Sequence, residues 1–541
     1  MANIAFYGSH NGGYAVEQDG KILLVLEVER FVNVKNCGMA QYLAPKTEDI
    51  LYFAEYIPKF IMNKLNITEF ETCYHINCDV NIFDKHELQL YVPAKKYIQA
   101  KHHQAHAAGC FYQSPFEDAL IFSFDGGGND GMFNIYLGNR KKGPQLLASL
   151  INPSYKHPHL GYDLGFPYMI LAHYLEDIKQ DTLGGGNLVY AGKLMGLCSY
   201  GVRNINWLHF FKGFYKSGVN GLNYREAMAY LGKNIGVEFD ENKRISGQLA
   251  YDLAATSQWA FEETFLESAM PYIKKYPDLP ICITGGCGLN IILNTRLVNE
   301  FNKTVFVGPN PNDSGIAAGM LLNIIKPKEP IDLTYTGLPM LGMDTLTHYV
   351  QAGWTFTSKK ATISEIAKDL SNGDIVGVAR GRAEHGPRAL GNRSILCNPS
   401  IPDMKDVLNE KVKHREWYRP FAPVVRLEDV DKYFEWNQES RWMSFCPLVR
   451  EEWREKLIAI THVDNTARVQ TVTREQNEWL YDLLTEYEAI TGVGVLLNTS
   501  FNVNGKPILS TVSDAFEIFE GSQMDCLVIE DNYFIKKDRA K

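Results

Sequence analysis

The chain has 541 residues with a formal net charge of −9, too long for one ordinary core, so two or three domains are expected. The acidic balance gives no basic footprint for coating a nucleic-acid duplex, although modification of a nucleotide stays open. The 10 cysteines form no CxxC pair, which excludes a zinc ribbon or a thioredoxin-like motif. No charged-then-apolar leader is expected at the N-terminus, and no apolar run approaches the roughly 18 residues of a membrane helix. The expected setting is cytoplasmic, with reduced thiols.

In chain order, Ile4–Tyr7 is a short apolar strand and Ser9-His10-Asn11-Gly12-Gly13 a turn. Asp19-Gly20, between Tyr14–Glu17 and Lys21–Glu27, signals a β-hairpin. Strand, polar glycine turn and hairpin resemble the opening of the actin/sugar-kinase/Hsp70 fold. Residues 48–68 show helical periodicity interrupted by Pro58. After a strand-like Tyr97-Ile98 comes His102-His103-Gln104-Ala105-His106. His102 and His106 stand i and i+4, one face of a helix that Ala105, Ala107 and Ala108 favour. Two imidazoles with a nearby carboxylate suit Fe, Zn, Mn or a similar cation; the alternative is a pair of surface or capping histidines. The nearby carboxylate is Asp125, after the buried-strand candidate Leu120–Phe124. The following turn, Gly126-Gly127-Gly128-Asn129-Asp130-Gly131, either offers backbone N–H groups to an anion or closes a plain hairpin with Phe133–Leu137.

Residues 156–201 are loop-rich and polar, with Gly184-Gly185-Gly186-Asn187 and Gly192-Lys193-Leu194-Met195-Gly196, but without Walker A spacing. A long helix over 245–275 leads to strand Ile281–Thr284 and Gly285-Gly286-Cys287-Gly288-Leu289-Asn290. That unit suits adenosine or phosphate at a helix N-terminus. A second unit is Val305–Val307, a turn over 308–315 and helix Ile316–Ile325, with Asp313 at or near an N-cap. Proline and glycine punctuate 326–360, where the domain boundary is expected.

Beyond it, strand Ile375–Ala379 enters a loop carrying Arg380, Arg382, Arg388 and Arg393 among glycines. Such a loop makes poor core and a good oxyanion clamp, the alternative being a solvated basic loop. Residues 411–423 add Lys413, Arg415 and Arg419 with Trp417, Tyr418 and Phe421. Strand Gly494–Leu497 runs into Asn498-Thr499-Ser500-Phe501-Asn502, whose amides and hydroxyls suit a planar, amide-like group. No internal repeat is apparent.

These segments keep their order in a known pattern: Glu29-Arg30-Phe31, HHQAHAAGCFY (102–112), SFDGGGNDG (123–131), GKLMGL (192–197), GGCGLN (285–290), NDSGIAAG (312–319), GRAEHGPRALGNRSI (381–395), REWYRPFAP (415–423), TARVQTV (466–472) and LNTSFNVNGKPI (497–508). In them the chain resembles the NodU/CmcH family of O-carbamoyltransferases, with GPRALGNRSI and LNTSFN the most specific matches. The resemblance implies an α/β architecture. Residues 1–345 would form an actin/sugar-kinase/Hsp70-like, threonylcarbamoyladenosine-synthase-like domain that binds metal and nucleotide. Residues 360–541 would form an α+β YrdC-like domain for carbamoyl phosphate and ATP. By motif, His102, His106, Asp125 and Asp313 would be metal ligands, with iron favoured, so that Asp313 is a ligand rather than a cap. Gly126, Gly127, Gly128, Lys193, Gly285, Gly286 and Asn290 would line the nucleotide. Arg388, Asn392, Arg393, Ser394, Lys413, Arg415, Arg419, Asn498, Ser500 and Asn502 would line the carbamoyl-phosphate and ATP pocket, with Mg accompanying ATP.

The implied chemistry has two steps. Carbamoyl phosphate and ATP give a carbamoyl-adenylate and pyrophosphate, with phosphate released; the carbamoyl group then passes to a hydroxyl of a small molecule, nucleoside or nucleobase. Arg388, Lys413 and Arg415 are the candidate catalytic cations, and His10 or His103 the candidate base for the acceptor hydroxyl. A threonylcarbamoyl-type tRNA-modifying enzyme is the second reading, against which stand the negative charge and the REWYRPFAP pattern. A non-catalytic actin-like nucleotide-binding protein is the third, and it has no need of two histidines and an arginine loop. Small-molecule partners are expected and no membrane. Nucleic acid is disfavoured except as a modified-nucleotide acceptor, and a homodimer is left open. The chain has His10-Asn11-Gly12-Gly13 where the family has His-Asp-Ser-Ser, Glu27-Val28-Glu29-Arg30 for Glu-Glu-Glu-Arg, and Ala191-Gly192-Lys193 for Glu-Gly-Lys. These departures bear on the acceptor and its base.

Overall fold

The computed structural model describes residues 2–38, 47–76, 91–150, 164–178, 186–216, 224–240, 242–352 and 355–537. Gly184 and Gly185 of the first glycine run lie outside the described residues. The chain divides into two compact units: Met1–Val32 with Asn36–Leu333, and Asn33–Lys35 with Thr334–Lys541. Among the described residues no helix is long and apolar enough to cross a membrane.

The first unit holds two five-stranded sheets. One contains β1 (Ala2–Tyr7), β2 (Gly13–Gln18), β3 (Lys21–Glu27), β4 (Phe70–Ile76) and β5 (Ala94–Gln99), in the order β3-β2-β1-β4-β5. The other contains β6 (Asp118–Phe124), β7 (Phe133–Asn139), β8 (Gln145–Ser149), β9 (Ile281–Thr284) and β10 (Val305–Phe306), in the order β10-β9-β6-β7-β8. Both are the same arrangement. In each, the first three strands form an antiparallel meander, and the fourth and fifth add in parallel on the other side of the first. The unit is therefore a topological duplication, one that leaves no apparent repeat in the sequence. The repeat lies in backbone pairing, which tolerates any side chains that keep the inward faces apolar.

Each sheet's fifth strand feeds a helix, and those two helices pack on each other. His102–Gln113 follows β5, and Ile316–Ile325 follows β10. Lys101, at the N-cap of the first helix, makes no side-chain cap. Instead, Asn129 Oδ1 accepts from the His102 N–H at 2.9 Å, and Asp130 Oδ1 from the His103 N–H at 2.8 Å. A carboxylate at that end also complements the helix dipole. The β6–β7 turn thus caps the histidine helix instead of offering all its polar groups outward. The second helix is buried from Ile316 to Leu322, as its almost uniformly apolar sequence requires.

Their contact depends on glycine. A Cβ built on Gly109 would lie 3.4 Å from Gly319 Cα, and one on Gly319 would lie 2.1 Å from the Ala105 carbonyl oxygen. The axes could not keep this spacing with any larger residue at position 319.

The second unit is built on an eight-stranded mixed sheet. Its strands are β11 (Phe356–Lys360), β12 (Val376–Ala379), β13 (Arg393–Cys397), β14 (Ala422–Arg426), β15 (Gln470–Val472), β16 (Val495–Ser500), β17 (Cys526–Ile529) and β18 (Asn532–Lys536), in the order β11-β18-β17-β12-β13-β16-β14-β15. Register brings the functional loops together. The end of β12 pairs with the start of β13 (Ala379 with Arg393), the start of β13 with the end of β16 (Ser394 with Ser500), and the start of β14 with Asn498. Because β15 runs parallel to β14, the segment before Gln470 emerges at the same sheet end.

The Gly109–Gly319 contact yields the first prediction. Gly319→Ala forces the two helices apart, and overpacking of this kind destabilises by about 1–3 kcal/mol. The variant should unfold at a lower temperature by circular dichroism. An unchanged midpoint would show that the helices slide without cost.

Candidate functional site

In the first unit the predicted metal residues converge. His102, His106, Asp125 and Asp313 each offer a ligand atom, and these atoms all lie within 4.8 Å of one another. The i, i+4 spacing brings His106 Nε2 to 3.1 Å from His102 Nε2. Asp125 follows β6 and places Oδ2 3.4 Å from His106 Nε2. Asp313 opens the turn Asp313–Gly315 ahead of the second helix, and its Oδ1 lies 3.3 Å from His106 Nε2 and 3.7 Å from His102 Nε2. Despite that proximity, Oδ1 is buried without a hydrogen bond.

Backbone and aromatic groups hold these side chains. Asp125 Oδ1 accepts from the Gly126 N–H at 2.7 Å and Oδ2 from the Gly286 N–H at 2.6 Å. Gly128 packs on the His102 ring, where an added Cβ would come within 2.7 Å. Gly285, at φ +86°, lies so close to the Phe124 carbonyl that a Cβ would stand 2.1 Å from its oxygen. Gly126, Gly128, Gly285 and Gly286, expected to line a nucleotide, therefore shape the His/Asp cluster. The Tyr7 hydroxyl donates to Asp313 Oδ2 at 2.6 Å, and His10 Nε2 lies 3.3 Å from the same oxygen.

Electrostatics within the cluster are uneven. Burial pulls His106 down, but Asp125 and Asp313 outweigh it and raise it to about 9. Burial dominates at His102, which is lowered despite Asp313. Burial would raise Asp313, yet His10, His102 and His106 hold it well below the usual carboxylate range. Asp125 is lowered too, because the two histidines outweigh burial and the Asp313 charge.

His103 is placed differently. Its Nε2 donates to the Gly131 carbonyl at 2.9 Å, which leaves Nδ1 to accept from Ser123 Oγ at 2.8 Å. Burial and the neighbouring His102 push it down to about 3. Neither nitrogen is left to take a substrate proton. The His10 side chain is 29% exposed, with Nε2 3.3 Å from Asp313 Oδ2 and Nδ1 3.2 Å from Asn11 Oδ1. Lys193 is buried and donates to the Ile178 carbonyl. Asn290 caps the helix Ile291–Phe301 and pairs with Gln258.

Two nitrogen and two carboxylate donors, one of them a buried oxygen lacking any hydrogen bond, fit a first-row divalent cation. His106→Ala should lose bound metal, measured by elemental analysis, while its circular dichroism spectrum stays that of a folded protein. Full occupancy in that variant would refute the ligand set.

The second unit gathers cations at one sheet end. Burial and Arg419 push Arg388 down to about 10. Burial together with neighbouring cations also lowers Arg415, Arg468 and Lys413 well below their ordinary values. Glu416, 3.5 Å from Arg419, offsets part of this charge. Arg388 Nε is buried with no hydrogen-bond partner, as is Asn498 Oδ1.

The predicted pocket residues split into two groups. Arg393 is fully buried and donates to the carbonyls of Arg380, Asn392 and Gly381 at 2.7–3.0 Å, so it shapes the loop. Lys413 Nζ donates to the Ser500 and Asn502 carbonyls and to Asn502 Oδ1, all at 2.6 Å, which fixes the end of β16. Ser394 Oγ accepts from the Gly391 N–H, and Asn392 bonds the Arg382 carbonyl and Asn477. Arg388, Arg415 and Arg419 are half-buried. Arg415 Nε donates to Asn409 Oδ1 at 2.7 Å and its guanidinium sits over the Phe421 ring. Ser500 Oγ donates to Asn502 Oδ1 at 2.7 Å.

Three residues were given no role in the sequence. Arg468 joins the cations from TARVQTV, a segment whose match was visible. Glu384 Oε1 accepts from the N–H groups of Leu390, Asn392 and Arg393, winding the arginine loop around one carboxylate. Tyr7, which reads only as an apolar strand residue, carried no signal.

Residues 40–322 match the family model of the carbamoyltransferase N-terminus and residues 367–537 that of the carbamoyltransferase C-terminus. The chain belongs to the carbamoyltransferase family, and the protein is an enzyme that transfers carbamoyl groups. Its relatives include nodulation proteins and a cephem O-carbamoyltransferase. It is 30% identical to nodulation protein NolNO of Sinorhizobium fredii over 98% of this chain and 79% of that one. It is 34% identical to nodulation protein NolO of Bradyrhizobium diazoefficiens, over 79% and 77%. It is 35% identical to the 3'-hydroxymethylcephem-O-carbamoyltransferase of Amycolatopsis lactamdurans, over 66% and 68%. Among solved structures, full-length HypF in its phosphate- and nucleotide-bound form aligns at a TM-score of 0.36 and 15% identity, over 60% of this chain and 46% of that one.

Proposed function

We propose that the protein is an ATP-dependent O-carbamoyltransferase that activates carbamoyl phosphate as carbamoyl-adenylate and passes the carbamoyl group to a hydroxyl. The observation that carries this reading is the group of mutually repelling cations in the second unit, read as YrdC-like. Arginines depressed by burial and by one another are stabilised by a polyanion, and forked guanidiniums match phosphate oxygens. With one water consumed, carbamoyl phosphate and ATP become carbamoyl-adenylate, pyrophosphate and phosphate. Arg388, Arg415, Arg419 and Arg468 neutralise the phosphates and hold the reactants in line. Lys413 acts by fixing Ser500 and Asn502.

Transfer is assigned to the first unit, read as actin-like. His102, His106, Asp125 and Asp313 would hold a divalent ion, with iron favoured. When bound, such an ion supplies Lewis-acid polarisation of a phosphoryl or carbonyl oxygen. His10 receives the proton of the acceptor hydroxyl as that oxygen attacks the carbamoyl carbon and AMP leaves.

Two variants test the division of labour. Loss of one charge-assisted contact in a transition state costs about 3 kcal/mol, roughly a hundredfold in rate. Pyrophosphate release dependent on carbamoyl phosphate should therefore collapse in Arg388→Ala. It should persist in His102→Ala, while a carbamoylated acceptor, detected by mass spectrometry, disappears. Equal loss of pyrophosphate release in both variants would favour a single shared site.

A further inference from the structure

We propose that Tyr7 is a positioning residue of the His/Asp cluster, holding Asp313 so that Oδ1 faces the histidines and ligates through that oxygen alone. The inference rests on the reading of His102, His106, Asp125 and Asp313 as a metal centre.

Tyr7 is the last residue of β1, 2% exposed, and paired on either side with Gly13 and Ile76. Its ring belongs to the core cluster that includes Ala105 and Ala108 of the first helix and Ile316 and Ala317 of the second. That cluster thus joins the helix that carries both histidines to the helix that Asp313 precedes. From there it meets two ligands at once. The hydroxyl donates to Asp313 Oδ2 at 2.6 Å, and the ring meets the His102 imidazole edge-on, centroids 5.9 Å apart.

The two Asp313 oxygens are consequently unequal. Oδ2 takes the phenol and faces His10, whereas Oδ1 is buried, lacks a hydrogen bond and lies within 3.7 Å of both histidine nitrogens. A carboxylate free to turn about its Cβ–Cγ bond could exchange these oxygens or chelate through both. A short phenol–carboxylate bond removes that freedom, as outer hydrogen bonds to ligating carboxylates do.

The competing explanation is that a buried phenol has simply found an acceptor for its proton. That role would stabilise the fold without touching metal affinity. Tyr7→Phe separates the two, because it keeps the ring and deletes the donor.

The full chain, stripped with a chelator, is titrated with Co(II) and followed by its visible absorption, for wild type, Tyr7→Phe and His106→Ala. Thermal midpoints are measured on the metal-free proteins. Removal of such a supporting hydrogen bond weakens binding by about 10–100-fold, so Tyr7→Phe should bind Co(II) that much more weakly, and its metal-free midpoint should fall as well because a buried hydrogen bond is lost. A lower midpoint with unchanged Co(II) affinity, or no change in either, would overturn the proposal. Wild type and His106→Ala binding alike would refute the metal centre itself, and this inference with it.

Discussion

The first unit is organised around four ligand-type atoms, two imidazole nitrogens and two carboxylate oxygens, brought within 4.8 Å of one another; among them Asp313 Oδ1 is buried 3.3 Å from His106 Nε2 with no hydrogen bond of good geometry. Much of the first unit serves to keep it there. The glycine-mediated approach of two helices brings Asp313 over the histidine face. Two backbone N–H groups hold Asp125 on the other side, and the phenol and His10 occupy the second Asp313 oxygen. Unsatisfied polar atoms persist in native proteins where a role requires them. A cation held by the four converging donors, as proposed above, would be such a role.

The second unit presents the same kind of imbalance with the opposite sign. Its sheet end collects cations lowered by burial and by one another, while Glu384 turns one oxygen to the backbone of the arginine loop. Two different tasks fall to cationic side chains. Arg393 and Lys413 hold carbonyls and build the loop and the strand end; Arg388, only half-buried, is the one proposed above to meet an anion. Burial and donor count separate the two tasks.

The i, i+4 histidines, the strand ahead of Asp125 and the arginine loop were legible because each is a local pattern of residue types. The family was legible too, since its motifs are short and ordered. Asp313 was not legible from spacing alone. A carboxylate ahead of an apolar helix reads as a cap, and only the resemblance suggested otherwise. His103 could not be told from its neighbours, since its partners Ser123 and Gly131 lie on a separate hairpin. Tyr7 was silent because nothing in a strand reveals which acceptor its hydroxyl meets. The duplicated strand order escaped for the same reason: pairing is non-local, and the two sheets share no motif.

That duplication has a chemical reading. The turn after β1 carries His10, and the equivalent turn after β6 carries Asp125. The helix after β5 begins with His102 and His106, and the equivalent helix after β10 is preceded by Asp313. The first repeat contributes imidazoles and the second contributes carboxylates, from matching places. Neither half holds both kinds of donor, so the mixed set exists only once the two repeats have docked. Ion uptake would therefore register the joining of the halves, not the folding of either one.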